Sequence, residues 1–173
     1  MIREIIENEY YRFVKEVVDW KEAVKISCSP LEVKGIISQN CAEELIKDIE
    51  DKGVNEVVIF PHIAIIHNTH ETQCVYGSAI GFAHFKEPVL FKSEELCNKV
   101  KIILTIISYD DKSREDNIAK VVMALINSEL VREMKEVRDS TELYILLKKY
   151  QGVEGGKENG FRITGKSKIK RKN

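Results

Sequence analysis

An α/β fold is predicted: a three-layer α/β/α sandwich with a mixed four- or five-stranded sheet flanked by helices. Three observations point to it. β-Branched runs gather in the middle of the chain, whereas the segments on either side repeat their apolar residues at helical spacing. The run "VKIILTII", residues 100–107, is apolar on both faces, as a strand covered from both sides must be. At 173 residues, the chain is long enough for one domain with a substantial core.

Taken in order, residues 11–18 fit a strand or an amphipathic helix equally imperfectly. "DWKE" then reads as a capping box of Asp19 and Glu22, opening a helix from residue 20 to about residue 28, which Pro30 discourages from continuing. "NCAEELIKDIEDKG" is a clearer helix, with Asn40 and Glu43 as cap and partner. Ala42, Leu45, Ile46 and Ile49 share one of its faces, and Gly53 stops it. "EVVIF" and "IAII" are β-branched runs broken by Pro61, and "VYGSAIGFAHF" is a strand bearing small residues. The last third is helical: Ile118, Val121, Val122, Leu125 and Ile126 form a stripe. Leu130 and Met134 mark a short helix, and Ser140 caps a final one whose Leu143, Leu146 and Leu147 face inward.

The domain is expected to cover residues 1–150, with residues 151–173 as a basic, flexible tail. That tail holds seven basic residues against Glu154 and Glu158, leaving 20 basic and 26 acidic side chains on the body. It is glycine-rich and carries Phe161 as its one aromatic, so it reads as a solubilising end and not as a nucleic-acid arm. Apolar residues make up 43% and charged residues 32%, an ordinary balance for a water-soluble chain. The longest apolar stretch, residues 57–66, is too short to span a bilayer. "MIREIIENEYY" does not read as a secretory leader, and a cytoplasmic location is expected. Cys28, Cys41, Cys74 and Cys97 form no C-x-x-C pair and are expected as reduced thiols.

Three of the four histidines fall in "VVIFPHIAIIHNTHETQCVYG". His67 ends the run "IAII", where a strand opens into a polar loop, a position that combines fixed placement with access. A neutral imidazole there is a candidate nucleophile; a surface histidine is the plainer reading. His62, after Pro61, suits a hydrogen-bonded structural role. His70 could share a metal with His67, but a third ligand from Glu71, Cys74 or His84 would have no standard spacing, so no metal site is expected. The orientation of His84 depends on strand register, which the sequence leaves open.

Several stretches resemble, in register over residues 11–147, enzyme IIA domains of the mannitol/fructose class of the phosphoenolpyruvate-dependent sugar phosphotransferase system, nearest its ascorbate-type branch. "VDWKEAVKIS" resembles the start of that branch's first helix, and "AEELIKDIEDKG" the helix before its active-site strand. "FPHIAIIHNTHE" stands where those proteins read A-P-G-I-A-L-P-H-A-R-P-E, "FKEPVLF" resembles L-K-E-P-V-x-F, and "DSTELYILL" resembles the final helix. The resemblance implies that His67 matches the phosphoryl-accepting histidine, while His62 replaces a glycine. Ile66 replaces the family's proline, and Thr69 stands where many members have arginine. Arg114 aligns with the second histidine that assists transfer. An arginine there offers a fixed charge for phosphate oxygens, although it cannot exchange a proton. The plainer reading of Arg114 is a solvated first-turn residue neutralised by Glu115 and Asp116.

Two functions follow from the resemblance. In one, the chain is a phosphocarrier that accepts a phosphoryl group from the carrier HPr on His67, with Arg114 stabilising charge. Thr69, His70, His84 or His62 would support the site. The group passes to an enzyme IIB and, through it, to a membrane permease in sugar uptake. In the other, the chain is a degenerate, non-catalytic module that binds phosphotransferase partners, which the changes at Ile66, Thr69 and Arg114 favour. Neither implies a cofactor, a metal or nucleic acid, and a partly apolar docking face leaves a homodimer open. The sugar is not legible.

Overall fold

The structure is a computed structural model that describes residues 1–68, 72–92 and 97–154. The expectations on Thr69, His70 and residues 155–173 of the tail lie outside the described residues.

Helix α1 (Ile2–Glu7) leads to strand β1 (Tyr11–Val14), then to helices α2 (Trp20–Val33) and α3 (Cys41–Lys52). A 3-10 turn (Val54–Glu56) precedes strands β2 (Ile63–His67), β3 (Ala79–Lys92) and β4 (Cys97–Ile107). Helices α4 (Asp111–Ile126), α5 (Ser128–Met134) and α6 (Ser140–Glu154) follow. The strands form one mixed four-stranded sheet in the order β1-β3-β4-β2. β3 and β4 are antiparallel, whereas β1 runs parallel to β3 and β2 parallel to β4. This is the predicted three-layer arrangement. On one face, Val24, Leu31, Leu45 and Ile49 of α2 and α3 meet Ala64, Ile66, Phe85 and Ile103 of the sheet. On the other, Ile5, Val121, Leu130 and Leu146 meet Ile65, Phe82, Leu104 and Ile106. From Ile102 onward the residues of β4 enter the two opposite cores, so this half of the strand has no solvent-facing side.

Local chemistry explains where the elements depart from expectation. The Asp19 carboxylate accepts the Glu22 N–H at 2.9 Å, as a cap should, but Glu22 reaches back to Val18 N–H at 2.8 Å instead of to the cap residue itself. Helix α2 then continues through Pro30 to Val33. Proline cannot donate to the carbonyl four residues earlier, that of Ile26, and the Ser29 hydroxyl donates to it instead at 2.9 Å. Ser29→Ala is therefore expected to destabilise the protein by about 1 kcal/mol, read as a lower urea midpoint at unchanged slope.

Asn40 holds the cap position of α3 without the expected cap bond; its side chain joins Ser38 Oγ and Glu44, not Glu43. Gly53 ends α3 at φ +99°, a conformation that side-chain-bearing residues rarely adopt. Asp139, not Ser140, caps α6, accepting the Glu142 N–H at 2.9 Å. Helix α6 runs to Glu154, past the boundary expected at residue 150. The run "EVVIF" is not a strand: after the 3-10 turn, Val57 lies across the outer edge of β2, its carbonyl accepting the Ile65 N–H at 2.8 Å. The stripe expected on α4 is also corrected. The buried face is Asn117, Val121 and Leu125, while Ile118, Val122 and Ile126 are exposed. Cys41 and Cys74 are paired as a disulfide and not left as thiols, whereas Cys28 and Cys97 are free.

Candidate active site

The site lies where the parallel strands β2 and β4 end and α4 begins. His67 is the last residue of β2 and pairs in register with Ile106. By strand alternation it shares the face of Ile63 and Ile65, the face that α4 covers. It is half-buried, and its Nδ1 stands 3.4 Å from the carbonyl of Asn68. A carbonyl only accepts, so in that contact Nδ1 is the donor and Nε2 is the ring nitrogen left for other chemistry.

The next residue holds the histidine in place. The buried Asn68 side chain donates to the Ser108 carbonyl at 2.8 Å and accepts the Ser108 N–H at 2.9 Å. This two-way bond clamps the end of β2 to the end of β4. Behind it, the amide of Asn117 on α4 approaches the Ile107 carbonyl at 3.4 Å and Ser108 Oγ at 3.5 Å. Ser78 Oγ accepts the Tyr109 N–H at 2.9 Å. These contacts fix the turn from which α4 departs.

Helix α4 opens with Asp110 as its cap, accepting the Ser113 N–H at 2.7 Å; that bond holds the Asp110 carboxyl below its usual range. Arg114 is in the first turn, three residues before the sheet-facing Asn117 and therefore on the same side of the helix. Its side chain is only 17% exposed, and Nη1 pairs with Asp111 at 2.5 Å. Nε and Nη2 are buried with no hydrogen-bond partner among the described residues. A guanidinium that keeps two donors unused in a desolvated position is poised for an anion. The solvated reading of Arg114 does not hold.

Two expected supporting residues are elsewhere. His84 pairs with Ile102 across the β3–β4 ladder, four positions along β4 from Ile106. At about 3.3 Å per residue, that puts it roughly 13 Å from the His67 end. There it is 5% exposed, lies between Phe13 and Phe82, and bonds through Nε2 to the Lys135 carbonyl at 3.0 Å. Register, unreadable beforehand, decides against it. His62 precedes β2 at the same far end, its Nδ1 2.9 Å from the Lys99 carbonyl. Its φ of +69° is one that glycine tolerates best, which accounts for the family's glycine at that position. Among the described residues, no group of three histidine, cysteine, aspartate or glutamate side chains is arranged to hold a metal. No described helix is long and apolar enough to cross a membrane.

Burial lowers the pKa of His84, the Lys135 bond opposing this only in part. A depressed folded-state pKa gives stability that is present above the unfolded value, about 6.5, and lost as pH falls below it. Melting temperature is expected to drop between pH 7 and pH 5, and His84→Phe to flatten that drop.

Asn68 and Asn117 were not expected. Both stand in polar stretches after apolar runs, and neither carried a signal that separates a clamp from an ordinary loop residue.

His67 thus closes an edge strand of the mixed sheet at the end where α4 begins with Arg114 in its first turn. Solved structures share the fold. A phosphotransferase-system IIA protein (PtxA) from Streptococcus mutans has a TM-score of 0.74 at 20% identity, covering 88% of this chain and 95% of that one. The mannitol-specific cryptic phosphotransferase enzyme IIA CmtB from Escherichia coli has a TM-score of 0.69 at 15% identity, covering 82% and 93%. The complex of enzyme IIA for mannitol and phosphorylated enzyme IIB from Escherichia coli has a TM-score of 0.65 at 16% identity, covering 82% and 95%. No curated protein matches the chain. The family described as "Phosphoenolpyruvate-dependent sugar phosphotransferase system, EIIA 2" matches residues 4–150, and the chain belongs to it. It is a component of a sugar phosphotransferase system.

Proposed function

We propose that the chain is a phosphocarrier in which His67 accepts a phosphoryl group from phospho-HPr and hands it to an enzyme IIB. The observation that carries this reading is the buried guanidinium of Arg114, with two donors unused, at the same sheet end as His67. In the forward step the lone pair of Nε2 attacks phosphorus as the donor's bond to phosphorus breaks, and the three equatorial oxygens carry the charge between them. Such loose transfer rests on alignment and on fixed positive charge. Asn68 supplies the first by holding the strand end, and Arg114 the second. The complex of a similar IIA protein with phosphorylated enzyme IIB supports the choice of acceptor.

The second reading, a non-catalytic partner-binding module, draws on the Asp111 carboxylate, which already occupies one arm of Arg114. One experiment separates the two. The protein is incubated with phosphoenolpyruvate, enzyme I and HPr, and its intact mass is followed beside a His67→Ala variant. An acid-labile gain of one phosphoryl group that is absent from the variant is expected. If the mass stays unchanged while a control IIA protein is phosphorylated, the carrier reading is lost and the binding module stands.

A further inference from the structure

We infer that Cys41 and Cys74 form a reversible dithiol–disulfide couple, a redox modification site that ties the start of α3 to the chain leading from His67 towards β3. The two are 33 residues apart in sequence, yet their Cα atoms are 5.3 Å apart and their sulfurs are bonded.

The pairing does not depend on the sulfurs alone. The Ser38 N–H donates to the Cys74 carbonyl at 2.9 Å, and the Tyr76 N–H to the Ile36 carbonyl at 2.8 Å. Ile37 and Val75 form an antiparallel bridge between these bonds. The backbones on either side are zipped together, so the two side chains face each other in the reduced state as well. A place for the free thiol is also present. Cys74 Sγ is 2.8 Å from Thr72 Oγ1 and 3.4 Å from Glu44 Oε2. A disulfide sulfur has no proton, so the Glu44 contact is a hydrogen bond only in the dithiol, whereas the Thr72 hydroxyl can donate in both states.

Access and order of attack follow from the surroundings. Cys41 and Cys74 are themselves buried, at 1% and 2% exposure, and with Glu44, Leu45, Asn68 and Thr72 they line an open cleft of about 280 Å³ that is the route for an oxidant to reach them. Cys41 is the first residue of the 12-residue α3, where the helix N-terminus favours a thiolate. Cys74 faces a carboxylate, which disfavours one. The Cys41 thiolate therefore attacks one sulfur of a low-molecular-weight disulfide and releases the other as a thiol. Cys74 then attacks Cys41 Sγ in the mixed disulfide and releases the second thiol. One S–S bond is broken and one formed, and the two protons of the protein thiols end on the released thiols. Cys28 is set apart because it is buried outside this cleft, which pushes its thiol up to about 12, and Cys97 is exposed at the far end of β4 from His67.

The test uses the full chain equilibrated with oxidised glutathione, then denatured and alkylated. After oxidation a peptide map should link residues 41 and 74, and both thiols should be alkylatable after dithiothreitol. The melting temperature should rise by roughly 5–15 °C on oxidation and revert on reduction. Cys74→Ser should stop at a glutathione adduct mapped to Cys41 and lose the rise. Thiols at Cys41 and Cys74 still free after oxidation, or a linkage through Cys28 or Cys97, overturns the proposal. These readouts need no phosphoryl donor, so they stand or fall apart from the carrier reading.

Discussion

Arg114→Ala is expected to slow phosphorylation of His67 by roughly 10²–10³-fold, the usual loss when a preorganised donor to a developing negative charge is removed. The same change should leave stability unaltered or slightly improved. The partner in its ion pair, Asp111, is 85% exposed, and such pairs add little. The two unused nitrogens are meanwhile a desolvation cost that alanine removes. Loss of transfer without loss of melting temperature is the signature of a residue kept for function. Arg114→Lys should recover only part of the rate, because a point charge does not reproduce the two-pronged geometry of a guanidinium. The measurement is a single-turnover time course from phosphorylated HPr, followed by intact mass. A wild-type rate in Arg114→Ala would remove Arg114 from the transfer step.

Asn68→Ala should have the largest effect on folding and a secondary effect on transfer. The side chain satisfies both the N–H and the carbonyl of Ser108, and all of these groups are buried. Truncation strands two backbone groups at a cost of about 3 kcal/mol, a large share of the stability of a domain this size. The melting temperature should fall by roughly 6–12 °C. His67 is the adjacent residue, so phosphorylation should slow as well. Asn68→Asp keeps the acceptor, loses the donor, and places a negative charge beside an incoming phosphoryl group. It should therefore lose rate as well as stability, because a buried carboxylate oxygen then faces the Ser108 carbonyl. If Asn68→Ala melts within 2 °C of wild type, the clamp is not the support assigned to it.

Much of the layered fold was legible because each layer leaves its own period. The doubly covered β4, the capped α2 and the Gly53 stop of α3 are properties of short segments, and short segments can be read. What escaped reading was settled by distant partners. Pro30 looked like an end until the Ser29 hydroxyl was seen to take over the Ile26 carbonyl. "EVVIF" has the composition of a strand but is drawn across the edge of β2 by the Ile65 N–H. On α4 five apolar residues compete for a narrow buried face, and only contact with β4 selects Val121 and Leu125. At the site, the position of His67 at a strand end was readable. The exclusion of His84 was not, because it rests on register, and a one-residue slip would have changed its face. The role of Asn68 was invisible for the same reason: its partner, Ser108, is 40 residues away.

The way the sheet ends bears on how copies of this protein can associate. An unprotected outer strand invites another chain to extend the ladder, the usual first step towards aggregation. On one side β1 has only four residues and carries Arg12, whose guanidinium turns back on the Tyr11 carbonyl. On the other, the Val57 carbonyl already occupies the middle of β2. The borders formed by β1 and β2 are thus blunted against strand addition. Exposed apolar side chains stand instead on the helical surface, with Ile118, Val122, Met123 and Ile126 along the outer side of α4.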